Sequence, residues 1–200
     1  MLINIIKESS RGYDALRAED LFLKERKIFF TEEVTAESSK QLIQAIMHLE
    51  QENEKKEITL YINCPGGEVT SGLAVYDCLR GLSCPVRTVC IGTAASMGSY
   101  LFLAGDKREI LPHAQVMIHD PLVAGMQGAQ NALALDKEAK KLMKTRELLG
   151  NILAERTGHT LEEVLEKTKE DCYLDAEEAV DFGIATSVIT RIGGKENDTQ

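Results

Sequence analysis

The stretch VRTVCIGTAASMGSYLFLAG, Val86 to Gly105, joins an apolar β-branched run to a second apolar run through small residues around Ser96. A short apolar run rich in β-branched residues reads as a buried strand, here over 86–92. SMGSYLFL then reads as a short apolar helix, and Gly105 as its end. A strand passing through a tight turn into a helix is half of a βαβ unit, and the pattern recurs upstream. EITLYIN (57–63) is another buried strand, NCPGGE (63–68) turns it, and VTSGLAVYDCLRGL (69–82) returns to helical spacing.

Residues 35–52 place Leu42, Ile46 and Leu49 on one helical stripe. REILP and AQVMIH read as further strands. From about Asn131 to Arg156 runs one long helix, with Leu135, Leu142 and Leu149 seven residues apart. TLEEVLEKT opens on Thr160 with Glu163 three residues on, a capping box. DAEEAVDFG is a short helix before a closing strand, IATSVIT. Strands alternate with helices, so the fold class is α/β with a mostly parallel sheet. No internal repeat or linker divides the chain, which gives one domain over 1–190. Residues 191–200, ending GGKENDTQ, read as a disordered tail. The long helix is either an arm that buries its seam against another subunit or a helix folded onto its own sheet. Spacing leaves both open.

A net charge of −9 with dispersed Lys and Arg argues against nucleic acid as a partner, since phosphate binding needs clustered cations. No run of 18 apolar residues exists, so no membrane span is expected, and the N-terminal apolar patch is too short for a secretory signal. Five cysteines, without CxxC or metal-like spacing, fit unpaired thiols in a reducing cytoplasm and no metal site. A GxxxxGK[ST] loop is absent, so ATP hydrolysis and its cofactors are not expected of this chain.

A strand–turn–helix junction is where folds expose a nucleophile, and free backbone N–H groups at the helix start suit an oxyanion. Ser96 is therefore a candidate nucleophile; the competing reading is an ordinary N-cap of a buried helix. The paired glycines of NCPGGE could turn N–H groups toward a ligand, or form a simple turn. His119, at the end of QVMIH, is placed as a general base at a sheet rim. His48, His113 and His159 read as surface residues. Asp120, Asp171, Asp175 and Asp181 all lie near element ends, and spacing does not choose among them.

LKERKIFF, LYINCPGGEVTSGLAVYD, IGTAASMGSYLFLAG, VMIHDPL, LAERTG and DAEEAVDFG together resemble the ClpP family, the proteolytic subunits of Clp proteases. The blocks fall in the family's order, from about Arg11 to Thr190. The resemblance implies a ClpP/crotonase-type spiral of ββα units with a protruding helical handle at about 125–157. It implies a serine endopeptidase with Ser96 as nucleophile, His119 as base and Asp171, in KEDCYL, orienting the histidine. The oxyanion donors it implies are the backbone N–H groups of Gly67 and Met97. It further implies a homo-oligomer of stacked seven-membered rings, fed with unfolded protein by a AAA+ ATPase unfoldase. Extended peptides would lie beside Glu68, Val69 and residues 121–125.

Three positions depart from the family's pattern. Asp120 stands where the family has glutamine, and an anion beside His119 would either raise the histidine's pKa or compete with Asp171 for it. Gly81 replaces an aromatic of the ATPase-docking pocket, while Tyr61, another pocket aromatic, is retained. Glu170 replaces an arginine that pairs across the ring interface with an acid on the handle; that acidic position is Ala134 in one register and Ala132 in another. These departures keep a second function in view, a weakly active structural or regulatory paralogue in a mixed ClpP complex. A third, acyl-CoA chemistry of the crotonase type, shares the spiral but lacks the Ser/His/Asp set.

Overall fold

The computed structural model describes residues 4–9, 12–122 and 131–192. The chain opens with an antiparallel hairpin, β1 (Asn4–Ser9) and β2 (Gly12–Arg17), which leads into helix α1 (Ala18–Lys24). Then come β3 (Lys27–Phe30), α2 (Ala36–Glu52), β4 (Ile58–Cys64), α3 (Val69–Gly81), β5 (Val86–Ala95) and α4 (Met97–Leu103). The chain continues through β6 (Lys107–Ile110), β7 (Gln115–Ile118), α5 (Ala132–Thr157), α6 (Leu161–Lys167), β8 (Cys172–Leu174), α7 (Ala176–Asp181) and β9 (Ser187–Val188). Among the described residues no helix is long and apolar enough to cross a membrane.

The main sheet runs β3-β4-β5-β6-β9, all parallel. β4 is buried on both faces except at Asn63, as expected of a parallel strand covered by helices. β5 is longer than its apolar run because its two halves have different partners. Arg87–Cys90 pair with β6, while Thr93–Ala95 pair with β7. β4 holds the opposite edge along both halves, so the sheet forks on one edge of β5 and the chain winds from one branch to the next. The fork leaves β7 free to take β8 as an antiparallel neighbour.

Every residue of α4 is buried, which accounts for a helix apolar all round. It can press this close because a Cβ on Gly98 would lie only 2.8 Å from the Cys64 carbonyl oxygen of β4. Helix α4 ends just ahead of Gly105, as expected. The C-cap is Ala104, and Gly105 is needed where a Cβ would run into the Thr88 hydroxyl. The long helix divides its seam. Leu149, Gly150 and Leu153 are buried on the body, which is the reading of a helix folded onto its own chain, whereas Leu133, Leu135, Met143 and Leu148 are exposed. The closing strand shrinks to Ser187–Val188, with Ile184 and Ala185 entering the core ahead of it. The start of the expected handle at 125–130, the substrate-side residues 123–125 and the tail from 193 lie outside the described residues.

Candidate active site

Ser96 sits on the corner between β5 and α4 with φ 51° and ψ −122°, a backbone conformation that costs a non-glycine residue about 1–3 kcal/mol. Its surroundings hold it there. The Ser96 amide donates to Met117 O of β7 at 2.9 Å, and its carbonyl accepts from the Ser99 hydroxyl at 2.7 Å and the Ser99 amide at 3.0 Å. The residue occupies the N-cap position of α4, yet its side chain makes no cap hydrogen bond. Oγ lies instead 2.8 Å from Nε2 of His119.

His119 follows the last residue of β7, with its side chain 15% exposed. Its Nδ1 is 3.4 Å from Oδ1 of Asp171. The antiparallel register explains the meeting: Val116 faces Leu174, Met117 faces Tyr173 and Ile118 faces Cys172, so the next step puts His119 opposite Asp171. Directly opposed residues in an antiparallel pair present side chains to the same face. Asp171 is the looser member, longer in its contact than a normal hydrogen bond and 60% exposed.

Asp120 points elsewhere. Its Oδ2 accepts from Arg146 Nε on α5 at 2.5 Å and its Oδ1 from the Thr168 hydroxyl at 2.7 Å. The expected competition for His119 is therefore absent, because successive strand residues face opposite sides and Asp120 is spent on its own partners. Asp175 is occupied too, capping α7 through the amides of Glu177 and Glu178.

The glycine pair abuts the serine. At Gly66 (φ 107°) a Cβ would lie 2.6 Å from Ser96 Cβ and 2.9 Å from Ala95 O. At Gly67 (φ 142°) it would overlap Val34 O. Val34 bridges this turn, its amide donating to Gly66 O at 2.7 Å and its carbonyl accepting from Glu68 N at 2.8 Å. That pattern uses the groups flanking Gly67 and turns Gly67's own N–H away from Val34. Met97 is the first residue of α4, where amides have no intrahelical acceptor. Beneath the turn, the Cys64 thiol accepts from Gly66 N at 3.4 Å, and burial pushes its pKa up, so it stays a neutral thiol.

The remaining histidines are apart from this constellation: His48 beside Glu52, His113 exposed, and His159 stacked on Phe182 at 4.3 Å. Tyr61 is buried beneath Phe29, centroids 4.7 Å apart, and it is Phe29 that reaches the surface. A Cβ on Gly81 would meet nothing within 4 Å.

A protein-family model described as Clp protease matches residues 9–192. The chain belongs to the Clp protease family. Membership makes it a ClpP-type protein of a serine-peptidase family whose members generally form rings with ATPase partners. The α/β architecture and parallel sheet agree with that fold. Sequence reasoning missed Arg146 and Thr168; they lie 26 and 48 residues from Asp120, and no motif joins them.

Proposed function

We propose that the chain is a serine endopeptidase subunit, acting as one cytoplasmic domain over 1–190, that cleaves unfolded protein inside a chamber of stacked seven-membered rings fed by a AAA+ unfoldase. The observation that carries this reading is the 2.8 Å approach of Ser96 Oγ to His119 Nε2 at a strained corner. With Nδ1 protonated and turned to Asp171, Nε2 takes the Ser96 proton as Oγ attacks the scissile carbonyl. The Gly67 and Met97 amides receive the oxyanion, and the imidazolium returns its proton to the leaving amine. Asp171 stabilises that imidazolium without being protonated.

One observation favours a second reading, a weakly active subunit of a mixed complex. Glu170 is exposed, and Ala134 and Ala132, the two candidates for the acidic position, both stand in the first turn of α5, so the family's interface ion pair has neither member here. A fluorophosphonate probe tests the first reading. It should acylate wild-type protein and leave Ser96→Ala unlabelled at unchanged particle mass; labelling that survives in the alanine variant would remove Ser96 from the role.

A further inference from the structure

The β7–β8 ladder ends at Ile118 and Cys172, so His119 and Asp171 face each other one step beyond its last pair. Asp171 stands on an exposed connection, and what fixes that connection lies on the other side of the strand. Asp120 grips Thr168 twice: its amide donates to Thr168 O at 2.7 Å, and its carboxylate accepts from Thr168 Oγ1 at 2.7 Å. Thr168 is the C-cap of α6 and is buried, with only Lys169 and Glu170 between it and Asp171. The second carboxylate oxygen takes Arg146 Nε at 2.5 Å, and Arg146 Nη2 donates to Leu165 O in the last turn of α6 at 2.8 Å. One guanidinium of α5 thus ties the end of β7 to the end of α6.

We propose that Asp120 is a positioning residue: with Arg146 and Thr168 it clamps the connection that carries Asp171 into register with His119, and so makes the activity of the site depend on the seating of α5. This rests on reading Ser96, His119 and Asp171 as the triad. The Arg146 and Asp120 side chains are partly buried, 19% and 29% exposed, so their charge-assisted bonds are less screened than those of fully exposed pairs. A clamp made within one subunit orders the aspartate without the interface arginine that Glu170 replaces. The alternative is that Asp120 acts on His119 by its own charge. Asp171 faces His119, Arg146 faces Asp120, and the Tyr100 phenol of α4, its pKa raised by burial and by Asp120, stays neutral.

The two accounts differ in sign. If the clamp loosens, Asp171 spends less of its time against His119, the imidazolium loses part of its anionic stabilisation, and the acid limb of the kcat–pH profile moves to lower pH. Asp120→Ala and Arg146→Gln then shift it the same way. Under direct action of charge, Asp120→Ala removes an anion and Arg146→Gln unmasks one, so the shifts are opposite. Steady-state hydrolysis of a fluorogenic peptide is measured across the histidine titration range, on particles of wild-type native mass. Wild type, both variants, Thr168→Val, Thr168→Ser and a Ser96→Ala blank are compared. Expected are a fall in kcat of about tenfold with KM nearly unchanged for the first three variants, equal downward shifts of the acid limb, and most of the activity kept in Thr168→Ser. Thr168→Val removes a single hydroxyl and carries the test if Asp120→Ala does not fold. Opposite shifts, or wild-type kcat in Thr168→Val, overturn the clamp. Wild-type turnover in Ser96→Ala overturns the triad reading beneath it, a distinct result.

Discussion

Adding one methyl group at Gly66 should disable the site while leaving the rest of the protein folded. An alanine Cβ there starts 2.6 Å from Ser96 Cβ, whereas ordinary contact begins at 3.4 Å, so the two must part by about 0.8 Å. The turn has little room to yield, because the same Cβ is 2.9 Å from Ala95 O and the neighbouring Gly67 is held against Val34. Ser96 therefore takes much of the displacement, and its 2.8 Å contact with His119 stretches beyond hydrogen-bond range. A misplacement of about 1 Å at a reacting group costs on the order of 100-fold in rate. The φ of 107° adds strain of about 1–3 kcal/mol, and for a chain of this size each kcal/mol lowers Tm by about 2–4 °C. Gly66→Ala should thus lower kcat on a small peptide by about 100-fold, slow fluorophosphonate labelling in parallel and reduce Tm by several degrees. Gly81→Ala is the control: its Cβ meets nothing, it ends α3, and it should leave kcat unchanged with Tm no lower than wild type. A Gly66→Ala protein with wild-type kcat and labelling rate would refute the claim that this close approach sets the serine's position.

Asp171→Asn should lower kcat by about 10⁴-fold and Asp120→Asn by no more than about tenfold, measured on particles of equal mass; equal losses would contradict the division of roles. Glu109 is buried between Arg87 and Lys107. Burial raises its pKa, but the hydrogen bonds from Lys107 and Arg87 outweigh this and hold the group below its ordinary 4.5. That depressed value means the stabilisation is complete above the ordinary pKa and is lost as pH falls through the folded one. Glu109→Gln should lower stability near neutrality by about 1–2 kcal/mol and flatten the acid limb of Tm against pH, read by calorimetry. Because Glu170 stands where the family has its interface arginine, and Ala134 or Ala132 where it has the acid, the chain alone should sediment mainly as single rings with low activity at micromolar concentration, and a stable active double ring would show that other contacts hold it.

How far the sequence could be read follows from where each signal resides. β4 and α2 announce themselves, one by burial on both faces and the other by the Leu42–Ile46–Leu49 stripe with a Thr35 cap. The Thr160–Glu163 box is realised in both directions. α5 lies within one residue of its expected bounds, because its C-terminal glycine, Gly158, takes φ 82° and stops the helix. By contrast β8 has three residues, too short for any period to register, and β9 keeps only two residues of the expected IATSVIT strand. The hairpin β1–β2 lacks clean alternation, and α1 buries none of its residues, so neither has a hydrophobic pattern to find.

The site divides along the same line between local and distant causes. The serine corner is local: a strand, small residues and an apolar helix are contiguous, and the glycines that let the turn approach are visible as a pair. The choice of carboxylate is not local, because it is made by the register between β7 and β8. A slip of one residue would bring Glu170 or Cys172 opposite His119 in place of Asp171 and would turn alternate side chains to the other face. Three ladder pairs fix that register from one side. From the other side it is fixed by Thr168, held by the backbone and side chain of Asp120. On the clamp proposal the acid next to the histidine serves the acid opposite it, and two aspartates that spacing could not separate differ in that Asp120 pairs with Arg146, 26 residues downstream on α5.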